Sequence, residues 1–272
     1  MRIIDRSRPL EGHSAVAGWM VKPECEAEPF RYHLQSEHAV QVYVNDALAM
    51  NITCSPRDIV ELVLGRLFTQ NIIADADEVD ELELCEDSSC AKVRLHKGYP
   101  SIPGAPENDA PIEDVGTCYS ESRTVGALFQ RDAELRPLSP IPWSAQDVFA
   151  LARVFEGDTP MHRRTYGAHS CYLARGNEIL YCCEDLGRHN AFDKVIGSAL
   201  RDGVDLGECT VFTSGRVPTD MALKAVRAHI PIMVSKAVPT DLAARMAAEY
   251  RLTLICSAHS DSFVVVNDPL AG

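Results

Sequence analysis

The run Tyr181-Cys182-Cys183-Glu184-Asp185-Leu186-Gly187-Arg188-His189-Asn190-Ala191-Phe192-Asp193-Lys194-Val195-Ile196-Gly197 reads as a strand, a turn and a helix in succession. Ile179, Leu180 and Tyr181 lead in with apolar β-type residues, Gly187 supplies the turn, and Arg-His-Asn opens the helix. A strand that ends in Glu-Asp just ahead of a helix N-terminus gathers polar side chains and free backbone N–H groups at one corner, which suits an anion or a phosphate. A plainer reading is a structural connection in which Asp185 and Asn190 cap the helix and Arg188 pairs with Glu184.

Outward from this run, helices and strands alternate. Ser144-Ala145-Gln146-Asp147 resembles a capping box ahead of an apolar helix over Val148 to Phe155. Strands are expected at His169 to Ala174 and Glu178 to Cys183, joined by Arg175-Gly176-Asn177, and the central helix runs from about His189 to Leu200. A buried strand follows at Cys209 to Thr213, then a helix at Pro218 to Ala228 and a strand at Ile230 to Ser235. Pro239-Thr240-Asp241 begins a helix to Tyr250, and strands Leu252 to Cys256 and Phe263 to Val266 close the pattern. Strands separated by helices of this length predict an α/β unit with a mostly parallel sheet covered on both faces. Ligands of such sheets collect outside the carboxyl ends of the strands.

The N-terminal half reads differently. Its first thirty residues lack a clean period and are expected to form an irregular lead-in with one strand. Val40, Val42 and Val44 alternate as a half-buried strand, and Asn45-Asp46 turns the chain toward Leu48 and Met50. Ser55-Pro56-Arg57-Asp58 is expected to start a helix with Ser55 as N-cap, and Ile59, Leu62, Val63 and Leu67 would pack one face of it against the sheet. Two strands, Glu81 to Cys85 and Cys90 to Leu95, flank the polar turn Glu86 to Ser89. Four prolines, three glycines and four acidic residues between Lys97 and Gly116 mark a long exposed loop. Pro137 to Pro142 reads as a hinge, which divides the chain into a smaller α+β domain over 1–140 and an α/β domain over 141–272.

Composition narrows the function. The chain has 272 residues, enough for one or two domains, and a net charge of -13 that works against non-specific nucleic-acid binding. It opens with no signal-like apolar segment and contains no apolar run near the ~20 residues needed to cross a bilayer, so a cytoplasmic protein without membrane partners is expected. Ten cysteines in a reducing compartment point to sulfur or metal chemistry before disulfides. Most lie among apolar neighbours as small hydrophobes, but Cys118 ends the long loop, after Gly116 and ahead of a helix-compatible segment at Val125 to Gln130. A thiol at a helix N-terminus is held as thiolate and becomes a nucleophile. An exposed loop cysteine without a role is the alternative.

Polar stretches follow the ends of four expected strands: Glu184-Asp185-Leu186-Gly187-Arg188-His189-Asn190, Ser214-Gly215-Arg216, Ser235-Lys236-Ala237-Val238-Pro239-Thr240 and Ser257-Ala258-His259-Ser260-Asp261. Tyr166-Gly167-Ala168-His169 precedes a strand instead. With Arg188, Arg216 and Lys236 these form one positive rim suited to a phosphorylated or nucleotide-like ligand. His169, Cys171, Cys182, Cys183 and His189 raise a zinc reading. However, no C-x-x-C pair exists and the adjacent Cys182 and Cys183 would point to opposite faces, so no structural metal is expected.

In Val44-Asn45-Asp46, the Ser55-Pro56-Arg57-Asp58 helix, Gly167-Ala168-His169, the EDLGRHNAFDKVIG run, Ser214-Gly215-Arg216, the Lys224 helix, Ile230-Pro231-Ile232, Ala237-Val238-Pro239-Thr240 and Leu252-Thr253-Leu254, the chain resembles the formate dehydrogenase accessory sulfurtransferases called FdhD. The resemblance spans about residues 40 to 266. It implies a cytidine-deaminase-like three-layer C-terminal domain without the deaminase zinc motif, and a homodimer. It further implies a carrier that takes persulfide sulfur from a cysteine desulfurase and passes it to the molybdenum bis-guanine-dinucleotide cofactor, with GDP or GMP as mimics, for a formate dehydrogenase apoenzyme. By this resemblance Cys118 carries the sulfur. The cofactor falls to His169, Glu184, Asp185, Gly187, Arg188, His189, Asn190, Lys194, Ser214, Gly215, Arg216, Lys236, Pro239, Thr240 and the register segment Cys256, Ser257, Ala258, His259, Ser260 and Asp261. That segment lacks the arginines expected of it. Many members also carry C-G-x-C-G in the loop, where this chain has Cys118-Tyr119-Ser120-Glu121 and so one thiol.

Overall fold

A computed structural model of the chain describes residues 1–96, 135–157 and 159–271. The first half holds β1 (Arg2–Asp5), β2 (His13–Met20), β3 (Glu28–Gln35), β4 (His38–Val44), β5 (Ala47–Cys54), α1 (Ile59–Thr69), β6 (Val79–Leu84) and β7 (Cys90–Leu95). The second holds α2 (Ala145–Glu156), α3 (Pro160–Thr165), β8 (His169–Arg175), β9 (Glu178–Asp185), α4 (Arg188–Arg201), β10 (Thr210–Thr213), α5 (Thr219–Arg227), β11 (Ile232–Ser235), α6 (Asp241–Glu249), β12 (Thr253–Cys256) and β13 (Val264–Asn267). The loop read over 97–116, Cys118 and the segment read over 125–130 lie outside the described residues.

The strands form a mixed α/β arrangement with sheets ordered β1-β6-β7-β4-β5 and β13-β12-β11-β10-β8-β9, plus the two-stranded ribbon β2-β3. The ribbon corrects the irregular lead-in. Its residues alternate weakly because both faces are largely exposed, so the periodicity that marks a half-buried strand is missing.

The turn between β4 and β5 matches the sequence. Asn45 and Asp46 both take the left-handed backbone (φ 48 and 67), which a two-residue hairpin turn demands and which Asn and Asp tolerate.

The six-stranded sheet is mixed, where a mostly parallel one was expected. β10, β11 and β12 pair parallel. β8 pairs antiparallel with both β9 and β10, and β13 returns antiparallel on β12. For β8 and β9 the cause is the tight Arg175-Gly176-Asn177 connection: a turn that short joins only antiparallel neighbours, and Gly176 provides its positive φ of 57.

Alternate residues of the central strands face opposite layers. Phe212, Ile232, Val234 and Ile255 meet Val148, Leu151 and Phe155 of α2. Val211, Met233 and Leu254 belong to the larger cluster with Ala191, Phe192 and Val195 of α4, Met221 and Ala225 of α5, and Ala243 and Ala247 of α6. That cluster continues through α1 to Val40, Val42, Ile52, Leu82 and Val93, so both halves contribute to one core. Each fully buried large side chain contributes about 1.5–3 kcal/mol. The segment read as a hinge runs without helix or strand, but Leu138 is buried in this core and its N–H donates to the Tyr250 carbonyl at 2.8 Å.

α1 departs from the expectation of one packed face. It is buried from Ile59 to Thr69 except at Glu61, because it packs on α4 as well as sharing the core with strands of the five-stranded sheet. Nor does Ser55 cap it. The N-cap is Asp58, in a left-handed conformation and without a side-chain cap bond.

Candidate functional site

Strand direction gathers the polar segments. β9, β10, β11 and β12 run the same way and β8 runs opposite, so the carboxyl ends of the first four and the amino end of β8 share one rim. In sheet order that rim presents the loop after Cys256, the loop after Ser235, Ser214–Arg216, His169 and the Asp185–His189 corner. The expected convergence of these stretches is therefore present in space.

The rim loops are laced together. Ser214 Oγ accepts from the Ser170 N–H at 3.1 Å and lies 3.1 Å from His169 Nδ1. Ser235 Oγ donates to the Gly215 carbonyl at 2.7 Å and accepts from the Ala237 N–H at 3.0 Å. The Lys236 N–H donates to the Thr213 carbonyl, the Ser257 N–H to Ala237 and the Ala258 N–H to Ser235. Val217 bridges Pro239, and Thr240 Oγ1 caps α6 by accepting from the Ala243 N–H at 3.2 Å. Farther along, the Ser260 N–H donates to Glu156 Oε1 at 2.8 Å, which with His259 nearby ties the last loop to the end of α2. Asp261 accepts from the neighbouring Ser262 hydroxyl, and Cys256 is buried, its thiol pushed up to about 12 by burial.

Three cations stand on this rim. Arg216 is exposed, and Lys236 is half-buried with its ammonium 5.7 Å from the centre of the Phe155 ring. Arg188 is half-buried, its Nε enclosed and without a hydrogen-bond partner. Its aliphatic stem lies over Gly215, where an added Cβ would fall 2.7 Å from Arg188 Cδ. Glycine is required there by that close approach. Arg188 does not pair with Glu184, whose carboxylate instead accepts from the backbone N–H groups of Met161 and His162 and from the Thr159 hydroxyl at the start of α3.

Other members of the central run are engaged inside the protein. Asp185 has no exposed surface. It accepts from the Ser55 N–H (2.9 Å), the Gly187 N–H (2.9 Å) and Asn190 Nδ2 (2.9 Å), and it pairs with Lys194 Nζ at 2.7 Å. Asn190 also donates to the Thr53 carbonyl and accepts from Arg66 Nη2 at 2.6 Å. Next along α4, Asp193 accepts from Lys224 Nζ at 2.6 and 2.7 Å, from Thr69 Oγ1 at 2.7 Å, and lies 2.6 Å from Arg66 Nε. Asp185, Asn190 and Lys194 thus brace the rim from beneath, and the pairing of buried charge that their burial demands is met.

Sequence reasoning missed Ser55, Arg66, Thr69 and Asp193 as partners in this network. Their contacts join residues more than a hundred positions apart, and no local spacing signals them. His189 is buried 3.5 Å from Asp220, and burial, then Lys224, Arg66 and Arg188, pull its pKa down to about 2, so it stands neutral beside the rim. His169 is shifted down too, by burial first and then by Arg188.

Among the described residues, no group of three or more His, Cys, Asp or Glu is placed to hold a metal ion, and no helix is long and apolar enough to cross a membrane. Burial raises the Cys54 and Cys183 thiols to about 12 and Cys171 well above its ordinary value, so these are inert packing groups. A cavity of about 330 Å³ lies elsewhere, between the segment Ile3 to Leu10 and the start of α1. Its lining carries Asp5, Asp58 and Glu61 beside Arg8, Arg57 and Arg201, so it lacks the rim's positive character.

The model of the FdhD/NarQ family matches residues 35–270. Relatives named Sulfur carrier protein FdhD include one from Listeria innocua, 30% identical over 226 residues that cover 81% of this chain and 84% of that relative. Another, from Bacillus subtilis, is 28% identical over 236 residues, covering 86% and 88%. The crystal structure of a protein from Desulfotalea psychrophila, described as a formate dehydrogenase accessory protein, superposes with a TM-score of 0.75 at 24% identity over 95% of this chain and 98% of that one. That likeness speaks for the fold. With a family model spanning nearly the whole described chain and a relative at this identity and coverage, the chain belongs to the FdhD/NarQ family.

Proposed function

We propose that this chain is a sulfur carrier: Cys118 accepts persulfide sulfur from a cysteine desulfurase and hands it to the molybdenum bis-guanine-dinucleotide cofactor, its substrate, which formate dehydrogenase apoenzyme then receives. In the first step the Cys118 thiolate attacks the terminal sulfur of the donor's persulfide. The donor's S–S bond breaks, its cysteine leaves as a thiolate, and Cys118 holds the sulfane sulfur.

The single observation that supports cofactor binding is the rim, where Arg188 brings an unpartnered, enclosed guanidinium N–H to a line of loops with Arg216 and Lys236. Guanine-dinucleotide phosphates are the anions such donors suit. Here Arg188, Arg216 and Lys236 attract the phosphates, Ser214 and His169 offer polar contacts, and the buried Asp185–Lys194 pair holds the corner rigid. The names of the relatives, the layered α/β/α arrangement that a deaminase-like unit would have, and the association of two copies are parts of the same reading.

One sequence feature favours a second reading. Glu121 stands where many relatives have a second loop thiol, so a protein that binds the cofactor as a chaperone without moving sulfur is the alternative. Peptide mass spectrometry after incubation with a cysteine desulfurase and cysteine separates the two. Added sulfur on the Cys118 peptide, absent in Cys118→Ser, together with loss of formate dehydrogenase activation in that variant, is the expected result. An unmodified Cys118 with activation retained in Cys118→Ser would leave the chaperone.

A further inference from the structure

The cavity of about 330 Å³ beside the start of α1 is assembled from distant parts of the chain. β1 and the segment after it reach from Ile3 to Leu10, β6 adds Leu84, the β6–β7 turn adds Ser88, and α4 adds its last residue, Arg201. Its volume falls at the lower end of small-molecule sites, which run from about 300 to 1,000 Å³.

Charges of both signs line it, and two of them are unspent. Arg201 pairs with Glu61, Arg8 pairs with Glu86, and Asp5 Oδ1 accepts from the Ser7 N–H at 2.9 Å. Arg57 and Asp58 have no ion pair and no side-chain hydrogen bond among the described residues. Asp58 holds a left-handed backbone (φ 51), unfavourable for an L-residue, and gives α1 no cap bond in return. The first-turn N–H groups of α1 are therefore left without a side-chain acceptor.

Ser88 is a third open group. It is 2% exposed and held at φ 62, and its hydroxyl has no hydrogen-bond partner among the described residues. A buried hydroxyl without a partner costs free energy, which a polar ligand in the cavity recovers.

We propose that this cavity binds a small α-amino acid with an apolar side chain, taken as its zwitterion. Arg57 and the uncapped N–H groups of α1 receive the carboxylate, Asp58 receives the ammonium, and Ser88 adds a polar contact. Neighbouring side chains of opposite sign match a ligand whose own two charges are carried on one carbon. Ile3, Leu10, Ile59, Val60 and Leu84 give its side chain an apolar wall. Simpler ligands fit worse: a bare anion meets Asp5, Asp58 and Glu61, and a bare cation meets Arg8, Arg57 and Arg201.

Calorimetry of the full chain with L-leucine and L-methionine tests it. The controls are N-acetyl-L-leucine, which lacks the ammonium, L-leucine methyl ester, which lacks the carboxylate, and inorganic phosphate. Both amino acids are expected to bind, and each control to bind about tenfold more weakly or worse. Arg57→Gln and Asp58→Asn should each weaken L-leucine about tenfold. Their melting temperatures should not change, since Arg57 is exposed and Asn accepts a left-handed backbone. Ser88→Gly keeps the positive φ and should weaken L-leucine by a smaller factor. Asp58→Asn should leave N-acetyl-L-leucine unaffected, because the partner of Asp58 is the group that compound lacks. If neither amino acid binds more tightly than about 1 mM, the site is overturned. Affinity for L-leucine that survives in both Arg57→Gln and Asp58→Asn would overturn it too, by placing the amino acid elsewhere. Phosphate binding more tightly than either amino acid would overturn the zwitterion.

Discussion

Gly65 of α1 and Gly197 of α4 lie back to back where the two helices cross. A Cβ on Gly65 would fall 1.8 Å from the Asp193 carbonyl oxygen, and one on Gly197 would fall 1.8 Å from that of Glu61. Both obstacles are helix backbone, far inside the contact distance of ~3.5 Å. Neither residue has a positive φ, so the glycines serve close approach and not a turn. Gly65→Ala and Gly197→Ala are each expected to lower stability by about 3 kcal/mol or more, at or beyond the upper end for overpacking, because relief requires moving a whole helix. Urea unfolding followed by circular dichroism measures it. A loss under about 1 kcal/mol in both variants would contradict so tight a crossing.

The same crossing sets the height of Asp193, which pairs with Arg66 and Lys224 at fully buried positions. Asp193→Asn removes the carboxylate that both buried cations share and is expected to cost about 3–5 kcal/mol. Lys224→Met removes one cation and leaves Asp193 with Arg66 and Thr69, so its loss should be the smaller of the two. A loss below about 1 kcal/mol in Asp193→Asn would show that the cations do not depend on Asp193.

His189 makes stability depend on pH. Burial first, then Lys224, Arg66 and Arg188, hold its pKa near 2 in the folded chain, against 6.5 ordinarily. The unfolded chain therefore takes up a proton near pH 6.5 that the folded chain refuses until far lower. This contribution is fully present above pH 6.5 and falls on acidification by at most about 1.4 kcal/mol per pH unit. His169 is shifted in the same direction, so His189→Gln should flatten the decline between pH 6.5 and 5 without abolishing it. Urea midpoints at pH 7, 6 and 5 give the slope, and an unchanged slope in His189→Gln would assign the decline to other groups.

Local chemistry was legible in the sequence. The Val40-Val42-Val44 alternation and the Asn45-Asp46 turn marked their hairpin, and Ser144 caps α2 by accepting from the Asp147 N–H at 3.1 Å. The rim was legible too, because segments after successive strands of one direction must emerge at one edge. What was hidden is long range. Ser55 looked like a helix cap, but its N–H meets Asp185, 130 positions away, and its hydroxyl accepts from the Leu186 N–H. Asp185, Asn190 and Lys194 looked like ligands for the same reason: a buried ion pair and an open anion site use the same residue types. Only the position of α1, fixed by Gly65 and Gly197, decides which of them remain open.

Arg188 is the residue of the central run that does remain open, and Gly215 controls where its side chain lies. Gly215→Ala would press a methyl group against the Arg188 stem, whose Cδ can swing aside but whose Cβ, 2.9 Å from the added carbon, is fixed to α4. The expected stability loss is therefore about 1–3 kcal/mol. If the rim receives the phosphates of a guanine dinucleotide, displacing the guanidinium should weaken GDP, and Arg188→Gln should weaken it about tenfold, the loss of a charge-assisted hydrogen bond worth about 1.5–3 kcal/mol. Gly215→Ala with Arg188→Gln should then add little beyond Arg188→Gln alone, since both act through one side chain. Calorimetry with GDP on the four proteins closes this cycle. Additive losses would mean that Gly215 touches the nucleotide by itself, and undiminished affinity in Arg188→Gln would remove Arg188 from the phosphate site.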